Sequence, residues 1–175
     1  MKVVKYLSFI ILFFHGVCFA MNNSTQEYIT YAQEVMNQFQ REVEKEFGIK
    51  CTGSGGGMAH DVEVINMFFD ADRTATVEEA RELHVNCTEK LIFLMNSHEK
   101  IRPFLRKYPA DKDNAHIMIS FNRKKSPQGK NEYIEVMHLA RGKIFYKIED
   151  SKTGRYFSVL EEPYEEAVKI VQETK

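Results

Sequence analysis

Apolar positions recur at helical spacing over residues 24–47, where Tyr28, Ala32, Val35, Phe39, Val43 and Phe47 form one stripe and Glu, Gln, Arg and Lys fill the rest. Ser24 and Glu27 fit a capping box at the start, and Gly48 stands where a C-terminal cap belongs. The run DVEVINMFFD, 61–70, is β-branched and aromatic with apolar residues on both faces, which predicts a central strand. Thr76 and Glu79 open a second helix by the same capping logic, with Val77, Ala80, Leu83, Cys87, Leu91, Leu94 and Met95 as its apolar stripe. That stripe points Cys87 inward.

Residues 96–116 leave this helix through a polar turn and two prolines, with Ile101, Phe104, Leu105 and Tyr108 forming a short turn over the core. Four strands are predicted near 115–123, 132–140, 143–150 and 155–161. The turns between them are Ser126-Pro127-Gln128-Gly129, Arg141-Gly142 and Ser151-Lys152-Thr153-Gly154. Pro163 starts a final short helix with Tyr164, Ala167, Val168 and Val171 on one side. The order α-β-α-β-β-β-β-α predicts an α+β fold, an antiparallel meander sheet with two long helices on one face and a short C-terminal helix. Curved-sheet folds of the cystatin or nuclear-transport-factor-2 type have a similar order, an analogy of fold that carries no function.

Ahead of this pattern stands MKVVKYLSFIILFFHGVCFA. Lys2 and Lys5, an apolar run from Leu7 to Phe14 and the small residue Ala20 make the three parts of a secretory signal, with cleavage expected after Ala20. The apolar run is too short to span a bilayer of ~30 Å. An uncleaved anchor is the alternative, and it would be the one membrane contact. Residues 1–20 are therefore read as signal and 21–175 as a single α+β domain, exported to the periplasm or beyond.

Composition narrows the classes. The chain has 24 basic and 25 acidic residues, and the signal removes two of the basic ones, so nothing favours a nucleic-acid partner. With no tryptophan, thirteen phenylalanines and eight methionines, the core is expected to be rich in Phe and Met. Cys51 and Cys87 are the cysteines left after cleavage. In an oxidising compartment they are a candidate disulfide. Two independent buried thiols are the other reading.

GIKCTGSGGGMAHD, 48–61, is the candidate ligand loop: Gly53, Ser54, Gly55, Gly56, Gly57 and His60. A phosphate loop needs a lysine and a helix start after its glycines, and Met58-Ala59-His60 supplies neither. An oxyanion loop remains open, with the amides of Gly55 to Gly57 facing a developing charge, Cys51 as nucleophile and His60 or another histidine as base. The plain reading is structural, a strand or bulge through Lys50 to Met58 in which glycine permits close packing. Histidines 60, 84, 98, 116 and 138 show no zinc spacing, and Asp70-Ala71-Asp72 lacks the rest of a calcium loop. No metal or cofactor is expected. Glu63, Asp70 and Glu135 are acids on strands from which a carboxylate pair can be drawn only by choice.

GIKCTGSGGGM, VEEARELHVNCTEKLIFLMNSHEKIRPFL, KYPADKDNAHIMISF and EEPYEEAVKIV together resemble an uncharacterised family of small exported bacterial proteins. The resemblance implies one exported domain and no activity. The expectation is a non-catalytic exported module that binds a protein or small ligand through the open sheet face or the glycine loop. The alternative is a small cell-envelope hydrolase using that loop, which would require a deep polar cavity joining Gly55–Gly57 to a histidine and an acid.

Overall fold

The computed structural model describes residues 27–122 and 133–174. The signal segment, Ser24 and the turn at Ser126 to Gly129 lie outside the described residues. In chain order the elements are α1 (27–47), β1 (Lys50–Gly57), β2 (Val64–Ala71), α2 (Val77–Ser97), β3 (Ala115–Phe121), β4 (Val136–Ala140), β5 (Lys143–Glu149), β6 (Tyr156–Pro163) and α3 (Tyr164–Glu173). One 3-10 turn, Arg102–Phe104, follows α2. The fold is α+β.

The six strands form one sheet in the order β1-β2-β3-β4-β5-β6. From β3 to β6 it is the expected antiparallel meander. The β2–β3 pair is parallel. Because α2 carries the chain back past the sheet before β3 begins, β3 re-enters in the direction of β2, as a crossover requires. The sheet is thus mixed where consecutive hairpins alone would have made it antiparallel.

The start of α2 and the end of α1 follow from their sequences. Thr76 caps α2, its hydroxyl accepting from the Glu79 amide while the Glu79 carboxylate accepts from the Thr76 amide. Gly48 closes α1 at φ +66°, donating its amide to the Glu44 carbonyl. Arg141 and Gly142 both take positive φ, 51° and 71°, in the tight β4–β5 turn.

All helix contacts fall on one side of the sheet. Phe39 of α1 meets Phe69 of β2 edge to face at 5.8 Å. Lys90 of α2 bridges Glu42 and Glu46 of α1. Residues 65, 67, 69 and 71 of β2 and 115, 117, 119 and 121 of β3 are buried beneath the helices. Their alternate neighbours face the other way, where no described helix lies. α2 is buried more widely than its stripe predicts, taking in His84, Val85 and Thr88, because α3 packs against it as well as the sheet.

Candidate functional site

The helix-free side is assembled by cross-strand register. One row runs Gly53, Phe68, Met118, His138, Phe145, Glu161 from β1 to β6. A second runs Asp70, Ser120, Val136, Lys147, and a third begins Gly55, Asn66, His116. The first row is apolar and aromatic through its middle. Phe68 is 38% exposed, the side chains at 118, 138 and 145 are half-buried, and His138 stacks on Phe145 at 5.2 Å and 11°. Lys147 lies 5.9 Å from the centre of the Phe145 ring, a cation–π contact. Burial, with the charge of Lys147, holds His138 below the usual histidine value, so the ring is neutral at neutral pH.

The glycine stretch is a strand with a bulge. Register shifts between Cys51 and Gly53, leaving Thr52 as the extra residue. Beyond the bulge Gly53, Gly55 and Gly57 share the helix-free side with Phe68, Asn66 and Val64. A side chain at Gly53 would touch the Phe68 ring at 3.5 Å, one at Gly56 would strike the Val64 carbonyl oxygen at 2.2 Å, and one at Gly55 would meet open space. Strand geometry also decides the oxyanion question. Successive amides of an extended strand point to opposite edges, so Gly55, Gly56 and Gly57 do not converge on one charge. Ser54 is exposed on the other side of β1, and His60 is exposed in the bend beyond it.

The expected disulfide is absent: Cys51 and Cys87 are both free. Cys51 donates its thiol to the Gly53 carbonyl across the bulge at 3.5 Å, and Cys87 is enclosed in the core on α2. Burial raises both thiols above the usual value, Cys87 far more, which opposes thiolate chemistry at either. Cys51 is half-buried on β1 and Cys87 buried on α2, two separate thiols in this structure.

The remaining candidates do not gather. Burial pushes His84 down to about 4; its Nε2 faces the Ile117 carbonyl at 3.1 Å and its Nδ1 the Thr88 hydroxyl at 3.4 Å. A carbonyl only accepts, so Nε2 carries the proton and Nδ1 accepts from Thr88. His98 pairs with Glu34 between helices. Glu63 pairs with Arg106, Asp70 lies on the open face, and Glu135 accepts from the Glu149 amide. Among the described residues no three His, Cys, Asp or Glu side chains are placed to hold a metal ion.

Sequence reasoning missed one buried polar cluster. Arg81 of α2 grips Glu162 of β6 with two hydrogen bonds, 2.7 Å from Nε and 3.0 Å from Nη2. Tyr146 of β5 donates its hydroxyl to the same carboxylate, and the Arg81 guanidinium lies over its ring at 5.9 Å. Every charged group there is satisfied within the fold, so the cluster reads as a clamp between α2 and the sheet. Among the described residues, three surface depressions along the helices include one lined by Glu89, Ile92, Lys112, Tyr164 and Val168. None of the three includes a glycine of β1. No family model matches the chain, and neither a curated protein nor a solved structure matches it.

Proposed function

We propose that this is an exported, non-catalytic binding module that holds a partner protein on the helix-free face of its sheet. The observation that carries the reading is the one-sidedness of the fold: helices cover one face, while Phe68, Met118 and the His138–Phe145 stack form an apolar row on the other. Export is taken from the N-terminal pattern of Lys2, Lys5, the apolar run and Ala20. A protein is favoured over a small molecule by shape. Small-ligand sites are concave and enclose most of the ligand, whereas a sheet face suits broad, shallow contact. The glycines of β1 extend that face without adding side chains, as Gly55 shows. Lys147 and Asp70, on the adjoining row, supply charges for orientation.

The test is selection from a displayed random-peptide library on the mature chain, with Phe68→Ser as counter-target. Enrichment of a related set of apolar or aromatic peptides that the variant fails to hold is expected. An unenriched library, or a set that binds both proteins equally, would sink the proposal.

A further inference from the structure

His138 stands in the middle of the apolar row on the helix-free side, between Met118 of β3 and Phe145 of β5. Its ring is half-buried and lies nearly parallel to the Phe145 ring, at 5.2 Å and 11°. No described residue forms a hydrogen bond or an ion pair with either ring nitrogen. In the free chain the exposed part of the imidazole is left to solvent, which is what stabilises a charge there. The charged groups that face it are of both signs. Lys143 and Lys147 flank Phe145 on β5, and Glu161 lies beyond Phe145 on β6. On β3, His116 lies two residues before Met118, and Asp70 of β2 sits in the adjoining row. Beneath the sheet, His84 of α2 bonds to the Ile117 carbonyl and stays neutral down to about 4. Lys147, over the Phe145 ring at 5.9 Å, opposes a second positive charge in the stack.

We infer that an apolar partner on this face is held while His138 is neutral and released when His138 takes up a proton. The inference rests on the reading of the helix-free face as a binding surface, and adds the regulation of that surface. A partner lying across Phe68, Met118 and Phe145 covers the open side of the imidazole with apolar atoms. It shuts out the water that would solvate a proton on the ring. The repulsion from Lys147 grows as the same step lowers the local dielectric. Binding and protonation therefore oppose each other, and by linkage affinity falls as the ring charges. Well above the ordinary histidine value of 6.5 the ring is neutral both free and bound, and affinity is independent of pH. Burial and Lys147 hold the free ring below that value. Below the free ring's own value affinity drops by up to about tenfold per pH unit.

The probe is a peptide without His, Asp or Glu, selected at neutral pH on the mature chain for binding that Phe68→Ser abolishes. Titration calorimetry between about pH 7.5 and about pH 5 should show affinity falling about three- to tenfold. The imidazole resonances of His138 should titrate at lower pH in the complex than in the free chain. His138→Phe keeps a ring in the stack and removes the proton site, so its affinity, whatever its level, should not change with pH. His116→Gln should keep the parent's slope. A Phe68-dependent peptide that binds equally or more tightly at about pH 5 overturns the inference and leaves the binding reading standing. So does a slope that survives in His138→Phe. A library that yields no Phe68-dependent peptide sinks the binding reading, and this inference falls with it.

Discussion

Gly55 and Gly56 are neighbours in one strand, yet a methyl group at each meets opposite surroundings. At Gly55 it enters open space; at Gly56 it is driven 2.2 Å from the Val64 carbonyl oxygen, which is backbone and cannot swing away. Gly56→Ala should destabilise the fold by about 1–3 kcal/mol, while Gly55→Ala should be neutral or stabilising by up to about 1 kcal/mol. Chemical denaturation of the two variants separates them, and equal effects would refute the register given for β1. His84 carries a second residue-scale prediction. Above its ordinary value of 6.5 the ring is neutral both folded and unfolded, and pH changes nothing through it. Between 6.5 and about 4 the unfolded chain takes up a proton that the buried ring refuses, so stability falls as pH falls. The loss through this group approaches about 3 kcal/mol below pH 4. His84→Gln should flatten that part of the denaturation-midpoint profile, and an unchanged slope would contradict the buried neutral ring.

At the scale of elements, the Arg81–Glu162–Tyr146 cluster joins α2 to β5 and β6. Glu162→Leu alone leaves the Arg81 charge without its partner and should cost about 3–5 kcal/mol. The triple change Arg81→Met, Glu162→Leu, Tyr146→Phe should recover most of that, since a buried ion pair seldom outperforms a packed apolar one. Thermal unfolding distinguishes these outcomes. None of this was legible in the sequence, where Arg81 and Glu162 lie far apart in polar-looking stretches. The helices were legible, because period and caps agree: Thr76 with Glu79, and Tyr28 through Val43 on one stripe. The later strands were legible from their turns, as Arg141-Gly142 confirms by its positive φ. Two features were not. Glycines carry no side-chain pattern, so β1 read as a loop or a strand with equal ease, and the antiparallel sheet expected from the later hairpins did not include the parallel β2–β3 pair that the α2 crossover makes. Cys51 and Cys87 showed the same limit, since an even count says nothing of where two thiols end up.

Among the described residues, the sheet has one side covered by helices and one that no described helix covers. Helices α1, α2 and α3 bury one face, and the alternate residues of the same strands leave Phe68 exposed beside Met118, His138 and Phe145 on the other. The sequence placed the glycine stretch at the centre of any site. The proposed site centres instead on β2, β3, β4 and β5, with Gly53 and Gly55 at the margin of that face. Backbone and side-chain chemical-shift mapping of the mature chain, titrated with a library-selected peptide, addresses the central claim directly. The account predicts perturbations centred on Phe68, Met118, His138 and Phe145 that vanish in Phe68→Ser. Perturbations centred on the α2–α3 groove near Tyr164, with the sheet face silent, would contradict it.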